Sequence, residues 1–458
     1  MTRVRSLLAA CTVLIGVTTV PGTAQEPQLT VPYTMDTLAN GLRFIVHEDH
    51  SVPVVAMNVW YHAGSGDEKP GRTGFAHLFE HLMFMGSQHA PYPAFDRLLE
   101  AAGTNNNGST TEDRTNYYEW GPSNAAPLMA WLEADRMGYF LPTMDQDKVD
   151  LQRDVVQNER RQGVDNQPYG KASETIGRML YPPAHPYSWP VIGSMADLSA
   201  ATLEDTREFF RTYYAPNNAV IVVAGDVTPE VVEDFMRRYF GDIPRGPAIT
   251  RPAPASFTVT HDTLAVLEDR VQLPRVYYTW HTTKAYAPTD AALDVVAYIL
   301  AGAKNSRLTQ RLVYEDQVAS DVVAYQDGKL LDGDFTIRAT ARPGHDLPEL
   351  HRLITEIVGR LAADGPAPRE LRQAQNASEA SFLNRLERVL AKADQLNGYF
   401  YFTGEPDYFA QDLARYRALS SEDVRRAAAT YLLAPKVVLS VVPEGKRELA
   451  IETTEVTP

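Results

Sequence analysis

The chain carries one pattern twice. Leu203-Glu204-Asp205-Thr206 runs through Tyr213 into Ala215-Pro216 and the apolar stretch Ala219-Val220-Ile221-Val222-Val223. Ser421-Glu422-Asp423-Val424 runs through Tyr431 into Ala434-Pro435 and Val437-Val438-Leu439-Ser440-Val441-Val442. Each reads as a helix, a short Ala-Pro turn and a buried strand, and the two are offset by 218 to 219 residues. That repeat restricts the fold to two copies of one architecture, each of about 220 residues. Between them, residues 243–257 (IPRGPAITRPAPASF) hold four prolines and little periodicity, which reads as a linker. The first copy opens with strands predicted over 43–47 and 54–61, the second with strands over 264–269 and 276–283.

Only one copy carries recognisable chemistry. Residues 73–86, TGFAHLFEHLMFMG, read as a helix that Thr73 can cap and Gly86 can end, with no proline inside. At about 100° per residue, His77, Glu80, His81 and Phe84 share one face, while Phe75, Phe79 and Leu82 point the other way. A helix this apolar is buried, and buried imidazoles and carboxylates need partners. Histidines at i and i+4 chelate one metal ion, and Glu80 beside them is placed to act on water at that metal. The order His77-x-x-Glu80-His81 is the inverted zincin signature. A pair of core histidines bonded to backbone groups satisfies the same pattern, so the bare motif is only suggestive. The matching segment of the second copy, 290–300, has no such motif.

Composition limits the function classes. The formal charge is −15, which argues against a general nucleic-acid binder and mildly favours basic ligands, although an acidic surface also serves solubility. Arg3 and Arg5 precede an apolar run from Leu7 to Val20, then Pro21 and Gly22-Thr23-Ala24. That pattern predicts an export signal over 1–24 and a periplasmic protein. Cys11, the only cysteine, lies inside that run, too near the start to serve as a lipoprotein anchor. The mature chain is then expected to have neither disulfides nor thiolate ligands. No later stretch approaches eighteen apolar residues, so no membrane span is expected.

Two further segments bear on the site. Residues 103–111, GTNNNGSTT, suit either a polar hairpin or a sheet edge whose backbone receives a peptide. A helix predicted over 145–162 presents Asp147, Asp150, Asp154 and Glu159, and spacing alone does not select one as a metal ligand. Helices are also expected over 92–102 and 125–139.

Several local patterns stand in a fixed order: Leu38-x-Asn40-Gly41-Leu42, His77-x-x-Glu80-His81, Asn107 with Thr110, Asp113, Thr115 and Tyr117, and Asn158-Glu159-Arg160. His185-Pro186-Tyr187, Ile192-Gly193 and Tyr214-Ala215-Pro216-Asn217-Asn218 follow. Together they resemble the insulinase/pitrilysin family of zinc peptidases, in its short two-domain form of the mitochondrial processing peptidase type. The resemblance covers roughly residues 38–442. It implies an α+β fold of two homologous domains, each a mixed, mostly antiparallel sheet packed with helices, over 25–242 and 258–458. It implies Zn²⁺ on His77, His81 and Glu159, with Glu80 as general base. Asn107 and Gly108 then belong to the edge strand that pairs with a peptide substrate.

Two departures from the family pattern stand out. Seven residues before Glu159, where relatives often carry a second glutamate, this chain has Gln152, expected to bond behind the ligands with one charge fewer. Relatives also supply an arginine and, seven positions later, a tyrosine from the second half, and those positions fall on Val313 and Ser320. Arg307 and Tyr314 keep the spacing but lie six residues out of register. The resemblance therefore implies the catalytic member of a heterodimer, whose homologous subunit lacks HxxEH and supplies the missing pair. A homodimer using Arg307 with Tyr314 or Tyr325, and a non-catalytic core subunit of the same fold, are the rival expectations.

Overall fold

Eleven strands form two sheets among the described residues of this computed structural model, which are 29–251, 257 and 259–451, and most of these strands are rich in β-branched and aromatic residues. The expected export signal over 1–24, with Cys11, and residues 252–256 of the expected linker lie outside them.

The first sheet holds β1 (Thr34–Thr37), β2 (Arg43–Glu48), β3 (Val54–Tyr61), β4 (Asn105–Thr110), β5 (Thr115–Pro122) and β6 (Ala219–Gly225), in the order β1-β2-β6-β3-β5-β4. The second holds β7 (Thr263–Asp269), β8 (Arg275–Thr282), β9 (Ala319–Gly328), β10 (Gly333–Ala341) and β11 (Val437–Pro443), in the order β7-β11-β8-β10-β9. Apart from β1, the two orders are the same, and in each sheet one pair is parallel: β2 with β6, and β7 with β11. The sequence repeat is therefore a repeat of topology, and the fold is the expected α+β pair of mostly antiparallel sheets packed with helices.

The repeated strands also explain how the halves interlock. β6 and, apart from Ser440, β11 are apolar on both faces, so both faces must be covered. On one face of β6, Ile221 and Val223 join the core of their own half. On the other, Val220, Val222 and Ala224 pack with Ala393, Leu396 and Tyr399 of a second-half helix, Val389–Thr403. The reciprocal contact exists too. Ala172, from the first-half helix Ala172–Leu180, packs on Leu439 and Val441 of β11, while Leu180 packs on Val437. Each half thus lends a helix to the other's sheet. Removing that much apolar surface from water, at about 25 cal/mol per Å², favours a fixed arrangement of the two halves.

The predicted helices are present with shifted ends: Ala94–Ala101, Ala126–Tyr139 and Gln146–Arg160, the last continued by a π-helical turn, Arg161–Asp165. Residues after 242 run back along the first half, where the Gly246 N–H donates to Asn217 Oδ1 at 2.7 Å. Among the described residues, no helix is long and apolar enough to cross a membrane.

Candidate metal centre

The HxxEH residues lie on α1, Phe75–Leu82, which is shorter at both ends than its sequence suggests. Thr73 does not cap it. Its hydroxyl donates to Asp197 Oδ2 at 2.5 Å and accepts the Ser194 N–H. The residue before the helix is Gly74, at φ +90°, a left-handed conformation that disfavours any side chain. A β-carbon there would also meet Ile192 O at 2.8 Å and Gly193 Cα at 3.0 Å, which accounts for the Ile192-Gly193 motif as a backbone-to-backbone contact. The free N–H groups of the first turn are met from a distance by Glu68, whose carboxyl accepts from Gly74 N at 3.0 Å and Ala76 N at 2.8 Å. Burial pushes the Glu68 carboxyl well above its ordinary pKa, and these two donors pull it back.

Phe75, Leu78, Phe79 and Leu82 sink into the core, and the opposite face of α1 is left half-buried. There His81 Nε2 lies 3.4 Å from His77 Nε2, and Glu159 Oε2 lies 3.3 Å from His81 Nε2 and 3.8 Å from His77 Nε2. Tetrahedral bonds of about 2.0–2.2 Å place ligand atoms roughly 3.3–3.6 Å apart, so this donor set suits zinc. Of the carboxylates on its helix, only Glu159 joins the group; Asp147, Asp150 and Asp154 do not. Arg160 fixes that end of the helix by donating to Gly193 O at 2.8 Å and to Glu174 at 2.7 Å. The His77 pKa is pushed down to about 4, by burial first and by the neighbouring His81 second. Its imidazole is therefore neutral at pH 7, with a lone pair free for a metal.

Glu80 leans from α1 onto the free edge of the first sheet. Its Oε2 accepts the Thr110 hydroxyl at 2.6 Å, and its side chain rests against Gly108. Burial raises the Glu80 pKa, and the Thr110 hydroxyl and the charges of His81 and Arg114 pull it back. A carboxylate so raised is a better proton acceptor. The segment over 103–111 forms a hairpin with β5 in which β4 is the edge strand of the sheet. Thr111 N–H pairs with Arg114 O, and ladder alternation then leaves the backbone groups of Gly108 and Thr110 pointing off the edge. The Gly108 N–H is occupied by its neighbour, the Asn107 Oδ1, at 2.8 Å.

Other expected residues lie elsewhere. Gln152 does not bond to a metal-ligand candidate; its amide lies on Met85 Sδ at 2.8 Å. Arg307 is held by Glu370 at 2.7 and 2.8 Å, Tyr314 is exposed, and Ser320 bonds to Asp321 and Thr340 O. Tyr325 lines a cavity between the halves. Sequence reasoning missed Glu68, and it missed the roles of Arg160 and Asp113. The Asp113 carboxylate receives the Tyr187 hydroxyl at 2.5 Å and the Leu330 N–H at 2.9 Å, tying the β4–β5 turn to the second half. The motif His185-Pro186-Tyr187 was the available signal.

The chain matches two family models, "Insulinase (Peptidase family M16)" over residues 43–179 and "Peptidase M16 inactive domain" over 200–378. It is similar to the zinc protease PqqE of Helicobacter pylori, 29% identical over 357 residues, 77% of this chain and 79% of that protein. It is also similar to a probable mitochondrial-processing peptidase subunit beta of Arabidopsis thaliana, 24% identical over 90% of this chain and 79% of that one. The crystal structure of a protease from Helicobacter pylori superimposes with a TM-score of 0.85 at 25% identity, covering 90% of this chain and all of that one. With both halves matched in order and the whole architecture shared, the chain belongs to the insulinase family of peptidases, M16.

Proposed function

We propose that this chain is a zinc-dependent endopeptidase that hydrolyses peptides or unfolded segments. The observation that carries this reading is the placement of Glu80, a base, between the donor set His77, His81 and Glu159 and a free strand edge. A zinc ion held by that set supplies Lewis acidity to activate water and polarise the scissile carbonyl. An extended peptide pairs with the outward backbone groups of β4, once Asn107 releases the Gly108 N–H. Glu80 then takes a proton from the attacking water and returns it to the leaving amine. A scaffold of the same fold has no use for such a base, which disfavours the reading as a core subunit. The names of the relatives, zinc protease and processing-peptidase beta subunit, support the same view.

The chain is further read as the catalytic member of a heterodimer. Counted from Ser306-Arg307-Leu308, Val313 and Ser320 stand where the family resemblance implies an arginine and a tyrosine, and Arg307 is engaged by Glu370 and so does not replace them. Positioned donors at a developing oxyanion are worth roughly 2.7–4 kcal/mol, so a site lacking them is slow. Periplasmic export belongs to this reading and rests on the N-terminal pattern alone. The test is peptidase activity of the purified zinc-loaded chain, alone and mixed with a homologous chain that lacks HxxEH but keeps the pair. Low activity rising strongly on mixing supports the heterodimer, and full activity alone abolished by Arg307→Ala overturns it.

A further inference from the structure

β4 presents two faces. Gly108 and Thr110 face Glu80, so Asn105, Asn107 and Ser109 face the opposite side of the sheet. On that side Ser109 borders a cavity of about 270 Å³ between β5 and the start of the helix Val389–Thr403, with Arg114, Tyr118, Arg388, Leu390 and Asp394 among its walls.

The cavity is rich in unused donors. Arg114 Nη1 reaches Ser109 O at 2.8 Å, Ser109 Oγ at 2.7 Å and Asn116 Oδ1 at 3.3 Å, all neutral acceptors. Its Nε and Nη2 donors have no hydrogen-bond partner among the described residues. The exposed Arg388 guanidinium and the Tyr118 hydroxyl have none either. The fifteen-residue helix that begins after Arg388 has no side-chain cap, so its first N–H groups add to the positive end of its dipole. The one acid in the wall, Asp394, already accepts from Asn58 at 3.0 Å, Trp60 at 3.2 Å and Asn116 at 3.4 Å. Among the wall residues two arginines stand against one carboxylate, Asp394; Arg114 also lies over the Trp60 ring at 5.0 Å and feels the charges of Glu80 and Asp113 from outside the wall.

We propose that this cavity is a specificity subsite that takes a carboxylate of the bound peptide. The proposal rests on the peptidase reading above, because it requires a peptide paired to β4. In such a pair, side chains directly across from each other lie about 4.5–5.5 Å apart. A peptide side chain beside Ser109 therefore enters the cavity mouth, while its sequence neighbours face Glu80. The carboxylate belongs either to an aspartate or glutamate at that alternate position or to the peptide's own C-terminus, since both present two oxygens to a guanidinium.

The test separates this proposal from the peptidase reading. Fluorescein-labelled decapeptides on an Ala/Ser/Thr background, with one Glu, Gln or Lys at successive positions, are made as C-terminal amides and as free acids. Their affinity for the zinc-loaded Glu80→Gln protein is measured by anisotropy, and their cleavage by the unmodified protein, zinc-loaded and supplied with the homologous partner, is followed in parallel. At one position, or at the free C-terminus, the acid is expected to bind roughly tenfold tighter than its neutral counterpart. That ratio falls to about one in Arg114→Gln. In Arg388→Glu, an exposed change that disturbs no hydrogen bond, the preference shifts toward Lys. Ratios within about twofold at every position and terminus overturn the subsite, even if all the peptides are cleaved. Acid preference without cleavage upholds the subsite and overturns the peptidase reading. Neither binding nor cleavage overturns both.

Discussion

Gly108 and Glu80 are in contact at the sheet edge: a β-carbon at position 108 would lie 3.0 Å from Glu80 Cγ and 3.2 Å from its Oε1. The close approach of the base, and not a positive φ, is what a side chain at position 108 would disturb. Gly108→Val is therefore expected to displace Glu80 and leave the fold intact. Its kcat should fall by roughly 10- to 100-fold, part of the 10²–10⁴ that a proton-transfer group contributes. Melting temperature and zinc content should stay near those of the unmodified chain. A variant with normal turnover would mean that Glu80 does not act from where it stands.

Glu159 is expected to be the third ligand. Replacing it by Gln should weaken zinc retention beyond the roughly 10–100-fold typical of an outer hydrogen-bond partner. Zinc content after dialysis, read by elemental analysis, gives the answer. Stoichiometric metal in Glu159→Gln, with loss from Asp154→Asn, would contradict the assignment.

Glu68 holds the start of α1 through two backbone bonds, although it lies outside the motif. Glu68→Ala leaves buried N–H groups unmet, at about 1–3 kcal/mol. We expect a lower melting temperature together with weaker zinc binding, because both histidines follow the helix. Weaker binding with an unchanged melting temperature would contradict this structural role.

His77 carries a pH dependence whose sign follows from burial. His77 titrates near pH 4 in the folded chain and near 6.5 when unfolded, so the unfolded state binds more protons between these values. The metal-free protein should lose stability as pH falls from 6.5 to 4, by up to about 3 kcal/mol from this group, with no further loss from it below 4. Urea unfolding of the unmodified protein and of His77→Gln, compared across that range, isolates the contribution. Parallel curves would mean that His77 is not depressed.

Much of this site was legible in the sequence because metal ligation fixes residue type and helical spacing together. His77, Glu80 and His81 fall on one face of α1 by periodicity alone. Glu159 did not, because four carboxylates share its helix and only the packing of that helix against α1 selects one. The largely apolar strands β6 and β11 announced burial on both faces, but not that the covering helix comes from the other half. Gln152 was expected behind the ligands, yet its amide meets Met85. Thr73 looked like a cap, but its hydroxyl is engaged by Asp197 and the capping acceptor comes from Glu68. Long-range partners of this kind leave no local pattern.

The central claim is that Glu80 moves the proton while His77, His81 and Glu159 hold the metal. The most direct measurement is peptide turnover by Glu80→Gln beside the unmodified chain, each zinc-loaded and supplied with the homologous partner. The account predicts stoichiometric zinc, an unchanged melting temperature and turnover lower by about 10²–10⁴-fold. Turnover equal to that of the unmodified chain would contradict it.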